Sequence, residues 1–177
     1  MSTEFNGYEI HQGQFADLPA VLHFRSLLFK EMEIPYGALI ENSKQALQDR
    51  YEQEFHAGNI AHYLAYSKMG ELVATVGVLL KDDFPYYLFK PGRYGWILDV
   101  YTLPEHRGHG LSRKLLDLNL EWLRSKGVHE AKLIASGSDA KRLYERAGFK
   151  DTWDMYLRVG GEGTYNDYLN QREARRG

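Results

Sequence analysis

The chain has 177 residues, a length that fits one domain of roughly 100–200 residues. It is 44% hydrophobic and 26% charged and has no cysteine, which excludes a disordered or fibrous protein, disulfides, thiolate metal sites and a cysteine nucleophile. The net charge of −2 argues against a generally basic nucleic-acid binder, but it hides a split: −5 over residues 1–103, +4 over 104–150 and −1 over 151–177.

The N-terminal stretch MSTEFNGYEI lacks a basic run followed by an apolar one, so no signal peptide is predicted. No apolar run approaches the ~20 residues needed to span a bilayer. A cytoplasmic protein without a membrane partner is the expectation.

Tyr8-Glu9-Ile10 alternates briefly as a short strand. Asp17 is placed to cap a helix with Pro19 in its first turn, where the missing N–H does no harm. Leu18, Val21, Leu22, Leu28 and Phe29 supply its apolar positions, and Ile34-Pro35-Tyr36-Gly37 ends it. A second helix runs from about Asn42 or Ser43 to Gly58, with Ala46, Leu47, Tyr51 and Phe55 on one face. Tyr63–Tyr66 and Leu72–Leu80 form a hairpin around Met69-Gly70-Glu71, and Tyr94–Thr102 is a third β-rich run beyond a loop over Lys81–Arg93.

In the second half, Leu111, Leu115, Leu118 and Trp122, with Leu116, Leu120 and Leu123, form a 3.6-period stripe that ends at Gly127. Ala131–Ala135 reads as a short strand. Asp139 is placed to cap a helix stopped by Gly148, and Trp153–Val159 reads as a last strand. Strands alternating with helices after an antiparallel opening predict a mixed α/β sheet with helices on its faces. Residues 1–159 form one domain in this scheme, and Gly160-Gly161-Glu162-Gly163 opens a polar tail over 160–177.

The sharpest local feature is TLPEHRGHGLSRKLL, residues 102–116. A strand ends, glycines fill the turn and a helix begins at once, which aims backbone N–H groups and a helix N-terminus at one spot suited to an anion. Arg107, Arg113 and Lys114 add positive charge. The turn is too short for a Walker loop, and Arg113 stands where a dinucleotide fingerprint needs its third glycine. About 30 residues later follows Arg142-Leu143-Tyr144-Glu145-Arg146-Ala147-Gly148-Phe149.

With both segments in view, the chain resembles the GNAT superfamily of acyl-CoA-dependent N-acyltransferases. The family's pyrophosphate loop, Arg/Gln-x-x-Gly-x-Gly/Ala, is matched at Arg107 and Gly110, with Ser112 in the last small position. Its Leu-Tyr-Glu-x-x-Gly-Phe pattern is matched at every fixed position over 143–149. The resemblance implies a mostly antiparallel central sheet, splayed in the middle, with acetyl-CoA as cosubstrate and no metal. Backbone groups at Val100, Tyr101 and Thr102 would pair with the pantetheine arm, and Arg107, Gly108, His109, Gly110, Leu111 and Ser112 would hold the pyrophosphate.

Tyr144 would protonate the leaving thiolate, since a phenol of pKa about 10 lies near a thiol of about 8.5. The family's asparagine seven residues before this tyrosine is Gly137 here, and Ser136 or Ser138 would replace its contact. The amine must be neutral to attack, so a base is needed. Asp99 is the first candidate, with a structural hydrogen bond to a helix as its alternative; Glu31 and Glu33 follow on the acceptor side. Tyr36, Phe84, Tyr86, Tyr87 and Trp96 are candidates for lining an acceptor pocket.

His106 and His109 flank the turn without a completed ligand set, so no metal is expected. The implied activity is N-acetylation of a small-molecule or peptide amine by direct attack in a ternary complex. A non-catalytic acyl-CoA-binding or sensing module is one rival, and a nucleotide- or RNA-binding protein using the basic segment is another. The acceptor and the oligomeric state, a homodimer included, stay open.

Overall fold

The computed structural model describes residues 2–32, 41–86, 89–135 and 137–152, without the side chains of 41–43. Among these, six strands follow one another in a single sheet of order β1-β2-β3-β4-β5-β6: β1 (Thr3–Phe5), β2 (Tyr8–Gln12), β3 (Ile60–Tyr66), β4 (Leu72–Asp82), β5 (Arg93–Thr102) and β6 (Ala131–Lys132). Every pairing is antiparallel except β5 with β6, which is parallel. Four helices complete the fold: α1 (Leu18–Glu31), α2 (Glu41–His56), α3 (Leu111–Ser125) and α4 (Ser138–Arg146). The mixed, mostly antiparallel sheet with helices on both faces is the expected architecture.

Two cores lie on opposite faces of the sheet. On one, α1 and α2 bring Val21 and Tyr51 against Ile60 and Leu64, with half-buried Leu47, Phe55, Leu79 and Leu98 around them. On the other, Leu111, Leu115, Leu116 and Leu123 of α3 pack against Val76, Val78 and Ile97, and Tyr144 of α4 joins them. Burying each of those α3 leucines contributes about 2 kcal/mol, so the apolar stripe accounts for the helix's seat.

Several local expectations change. The N-terminal strand is preceded by β1, joined through an Asn6-Gly7 turn with both residues at positive φ. Asp17 precedes α1, but its carboxylate accepts the Gln14 N–H at 2.7 Å and the Tyr66 hydroxyl at 3.4 Å instead of a helix N–H. Ala46 is exposed, because only Leu47, Tyr51 and Phe55 of that face reach the sheet. Gly137, not Asp139, precedes α4, and Asp139 pairs with Arg142 on the helix surface. The strand predicted over 131–135 is only two residues long. The helix stop at 34–37, the strand over 153–159 and the tail over 160–177 lie outside the described residues.

β5 carries the feature that builds the site. Gly77 of β4 pairs with Leu98, but Thr75 pairs with Tyr101, so the single Val76 faces both Asp99 and Val100. This is a β-bulge, and Asp99 takes a left-handed φ of 53° within it. The extra residue leaves Leu98 and Asp99 both turned toward α1 and α2. The Val76 carbonyl accepts from Nδ2 of fully buried Asn119 on α3 at 3.0 Å. β6 pairs with β5 only at Gly95 and Trp96. From Ile97 to Thr102 that edge of β5 has no strand partner among the described residues, which is the expected splay.

Candidate functional site

The glycine turn lies at the open end of β5. Gly108 and Gly110 have φ of 81° and 77°, a region that costs a residue with a Cβ roughly 1–2 kcal/mol. Gly110 is the cap position of α3, so the N–H groups of 108–112 converge before the helix starts. None of these five groups donates to any acceptor among the described residues. With the helix dipole behind them, their geometry and charge suit a phosphate-sized anion.

The surrounding residues shape this turn. Thr102 Oγ1 and Ser112 Oγ lie 2.9 Å apart and tie the strand end to the first turn of α3. Arg107 Nε donates to the Thr102 carbonyl at 3.0 Å, and its Nη2 donates to Glu31 Oε2 at 2.6 Å. That Arg107 bond is the main reason the Glu31 carboxyl is held below its ordinary range. Glu31 is therefore held as a carboxylate, paired with Arg107 through Oε2. Tyr101 is buried, with its ring against Phe24 and under the Arg107 guanidinium. Val100 and Leu111 turn toward the α3 core. His109 is exposed; Ser138, on the first turn of α4, is exposed too.

The N-terminal hairpin supports the turn from outside, a role that sequence reasoning missed. Asn6 Nδ2 donates to the His109 carbonyl at 3.1 Å, and the Tyr8 hydroxyl lies 3.0 Å from His106 Nδ1. The Tyr8 ring meets both histidine rings edge-on, and Phe5 stands beside Gly110. The Asn-Gly dipeptide at 6–7 was the available signal.

On the α1/α2 face, Asp99 is not an open carboxylate. Its side chain is 0% exposed and accepts three bonds: from Arg25 Nη1 at 2.5 Å, from the Tyr51 hydroxyl at 2.5 Å and from His62 Nε2 at 2.9 Å. Burial pushes its pKa up, but the His62 bond, the Arg25 charge and the Tyr51 bond act against it, and the group is held below the usual value. Burial, followed by the charge of Asp99, pushes the Tyr51 phenol far up, so it stays a donor. His62 on β3 stands directly opposite Gly77, and its ring lies over that glycine; a Cβ there would sit 2.4 Å from Nε2. The alternatives for Asp99, base or helix-bonded anchor, thus meet in one geometry. Its oxygens are bonded to both helices and to His62 of β3. Arg25, Tyr51 and His62 were not foreseen. The one signal was Gly77 inside an apolar strand, which marks a bulge or a close approach.

Tyr144 lies on the other face of β5, 7% exposed, in the apolar cluster that half-buried Val100 and Leu103 also join. Its ring packs edge-on against Phe149, and burial pushes its hydroxyl up to about 12. Of the aromatic candidates for an acceptor pocket, Phe84 and Tyr86 stand exposed on the β4–β5 connection, and Trp96 is half-buried beneath the Lys81 ammonium. Tyr36, Tyr87, Glu33 and Ser136 lie outside the described residues. A cleft of about 220 Å³ between α1 and α2, lined by residues such as Phe15, Leu22 and Glu52, contains none of these groups. Among the described residues no three His, Asp or Glu side chains gather as a metal site, and no helix is long and apolar enough to cross a membrane.

The family model described as Acetyltransferase (GNAT) family matches residues 25–149. No curated protein sequence matches the chain. Among solved structures, a predicted acetyltransferase with acetyl-CoA from Clostridium acetobutylicum is similar at 23% identity and a TM-score of 0.77, covering 86% of this chain and 96% of that one. A GCN5-related N-acetyltransferase from Ralstonia eutropha JMP134 is similar at 22% identity and 0.78, covering 88% and 100%. AAC(6')-Iy, in complex with the bisubstrate analogue CoA-S-monomethyl-acetylneamine, is similar at 17% identity and 0.65, covering 87% and 98%.

Proposed function

The chain belongs to the GNAT acetyltransferase family, and from that premise we propose that it moves an acetyl group from acetyl-CoA to a primary amine by direct attack in a ternary complex. One observation carries this: five unspent N–H groups at 108–112 stand at the end of β5, beside the edge that β6 leaves open. The residues present fit a coenzyme A thioester. The turn would take the pyrophosphate, and the edge of β5 over Val100–Thr102 that β6 leaves open, where Arg107 already holds the Thr102 carbonyl, would pair with the pantetheine arm. Acetyl-CoA supplies the activated acetyl group; the chain supplies position and protons.

The two faces of β5 divide the proton chemistry. On the Asp99 face, the incoming ammonium must lose a proton before its nitrogen can attack the thioester carbon. On the Tyr144 face, the C–S bond breaks and the phenol protonates sulfur. A phenol at about 12 is a weak donor to an exposed thiolate. The leaving thiolate shares the same apolar surroundings, and desolvation raises its conjugate acid as well, which narrows the gap. The same burial keeps Tyr144 protonated at neutral pH.

A thermal-shift measurement with acetyl-CoA, followed by free-thiol release across an amine panel, tests the assignment. Stabilisation and amine-dependent thiol release are expected, and no stabilisation by any acyl-CoA would overturn it. Tyr144→Phe should lower kcat roughly 100-fold while sparing acetyl-CoA affinity. Unchanged turnover would remove its assigned role.

A further inference from the structure

We propose that His62 is the group that takes the proton from the incoming amine, and that Asp99 is a positioning residue that fixes the tautomer and orientation of its ring. This rests on the N-acetyltransferase assignment and deepens it.

Exposure separates the two residues. Asp99 is 0% exposed and His62 is 8% exposed, so of the pair only His62 can be touched by a ligand. Asp99 has no unshared oxygen either: Arg25 takes Oδ1, and Tyr51 and His62 share Oδ2. Protonating it would cost charge-assisted bonds on both oxygens. The charged carboxylate requires Nε2 of His62 to be the N–H donor, which leaves the lone pair of the neutral ring on Nδ1. Nδ1 has no hydrogen-bond partner among the described residues, yet it is not a solvent-excluded orphan as Thr75 Oγ1 and Asn119 Oδ1 are. The open atom of the ring is thus the basic one.

The surroundings suit a base. Asp99 on β5 accepts from the ring, the Tyr51 ring of α2 has its centroid 5.8 Å away, and Arg25 of α1 holds the other oxygen of the same carboxylate. Arg25 and Asp99 offset one another while His62 is neutral; once it is protonated, the carboxylate at 2.9 Å stabilises the imidazolium. Gly77 makes the reach possible, since any side chain there would occupy the ring's place.

The protons balance. The ammonium gives its first proton to Nδ1, and its freed lone pair forms the C–N bond to the acetyl carbon. The C–S bond breaks with its electron pair on sulfur, which takes the Tyr144 proton. The new amide nitrogen loses the second amine proton, which restores the phenol. His62 passes the first to solvent, so one proton is released for each acetyl group moved.

His62→Gln is the deciding variant, because its amide N–H can keep the bond to Asp99 but offers no base. The expected result is a fall in kcat/KM of roughly 100-fold or more, with the acetyl-CoA thermal shift intact and the remaining rate following the fraction of amine that is already neutral in solution. In His62→Ala, added imidazole should restore part of the rate. Independently of turnover, nitrogen NMR of the free wild-type chain should show Nε2 protonated and Nδ1 bare. Wild-type kcat/KM and pH dependence in His62→Gln, or a proton on Nδ1 of the neutral ring, would overturn the role of His62 while leaving the transferase assignment standing. A wild-type chain that releases no thiol with any amine overturns that assignment and this role with it.

Discussion

The glycine turn and the Asp99 cluster sit at the same strand, yet they are built by opposite means. The turn is contiguous, residues 102–112, and its working groups are backbone N–H donors set by two glycines at positive φ. The cluster collects Arg25, Tyr51, His62 and Asp99 from four elements, and its working groups are side chains meeting in a space with no solvent around the carboxylate. Glycine serves both, for different reasons. At Gly110 an added Cβ would find only ordinary contact, with Phe5 at 3.6 Å, so conformation is what demands glycine there. At Gly77 the same atom would collide with His62, so space demands it. A local anion cradle tolerates rearrangement around it, whereas a buried polar cluster has no substitute for a missing member.

The largest break should come from Asp99→Ala. It leaves Arg25 without the carboxylate opposite Nη1 and strips Tyr51 and His62 of an acceptor, a loss of about 3–5 kcal/mol of the kind seen when one partner of a buried pair is removed. Urea denaturation measures it. The pH dependence should change with it. A carboxyl held below its unfolded value contributes stability that is complete above about 3.9 and is lost as pH falls through its folded value. Wild type should therefore lose more stability than the variant as pH drops below about 4, and parallel acid curves would contradict the cluster's charge state.

Gly77→Ala should cost less, about 1–3 kcal/mol of overpacking, since the His62 ring can move at the expense of its Asp99 bond. Its acetyl-CoA affinity should match wild type by titration calorimetry. Gly110→Ala reverses that pattern: roughly 1–2 kcal/mol of stability from the φ of 77°, together with weaker acetyl-CoA binding. Equal effects of both variants on acetyl-CoA would erase the distinction between the two regions. The smallest change is expected for Tyr8→Phe. Losing the bond to His106 should cost about 0.5–1.5 kcal/mol in thermal denaturation, with a modest rise in KM for acetyl-CoA and none for the amine.

Legibility followed the same division. The turn could be read because strand end, glycines and leucine stripe adjoin in the chain and each has a short-range signature, and the second motif at 142–149 was equally local. The α3 stripe anticipated the burial of Leu111, Leu115, Leu116 and Leu123, while Leu118, Leu120 and Trp122 are half-buried and the buried Asn119 was missed. Misplaced details arose where a side chain chose a distant partner: Asp17 turned to Gln14 and Tyr66 instead of capping α1. Asp139 took Arg142 at the helix surface instead of a cap. The β1–β2 hairpin was signalled by Asn6-Gly7, but its support of the glycine turn spans about a hundred residues of sequence and has no local trace.

By itself the sequence determined the order of elements from β2 to α4, the mixed sheet, the glycine turn and the family these imply, because periodicity, turn residues and contiguous motifs act within a few residues. Only the tertiary structure decided which groups gather around Asp99. The bulge that turns Asp99 toward α1 and α2, the notch at Gly77 and the approach of His62 depend on strand register and on packing between elements far apart in the chain. Register and burial are properties of the whole sheet, and they converted Asp99 from a candidate base on a strand into a fixed anion behind an imidazole.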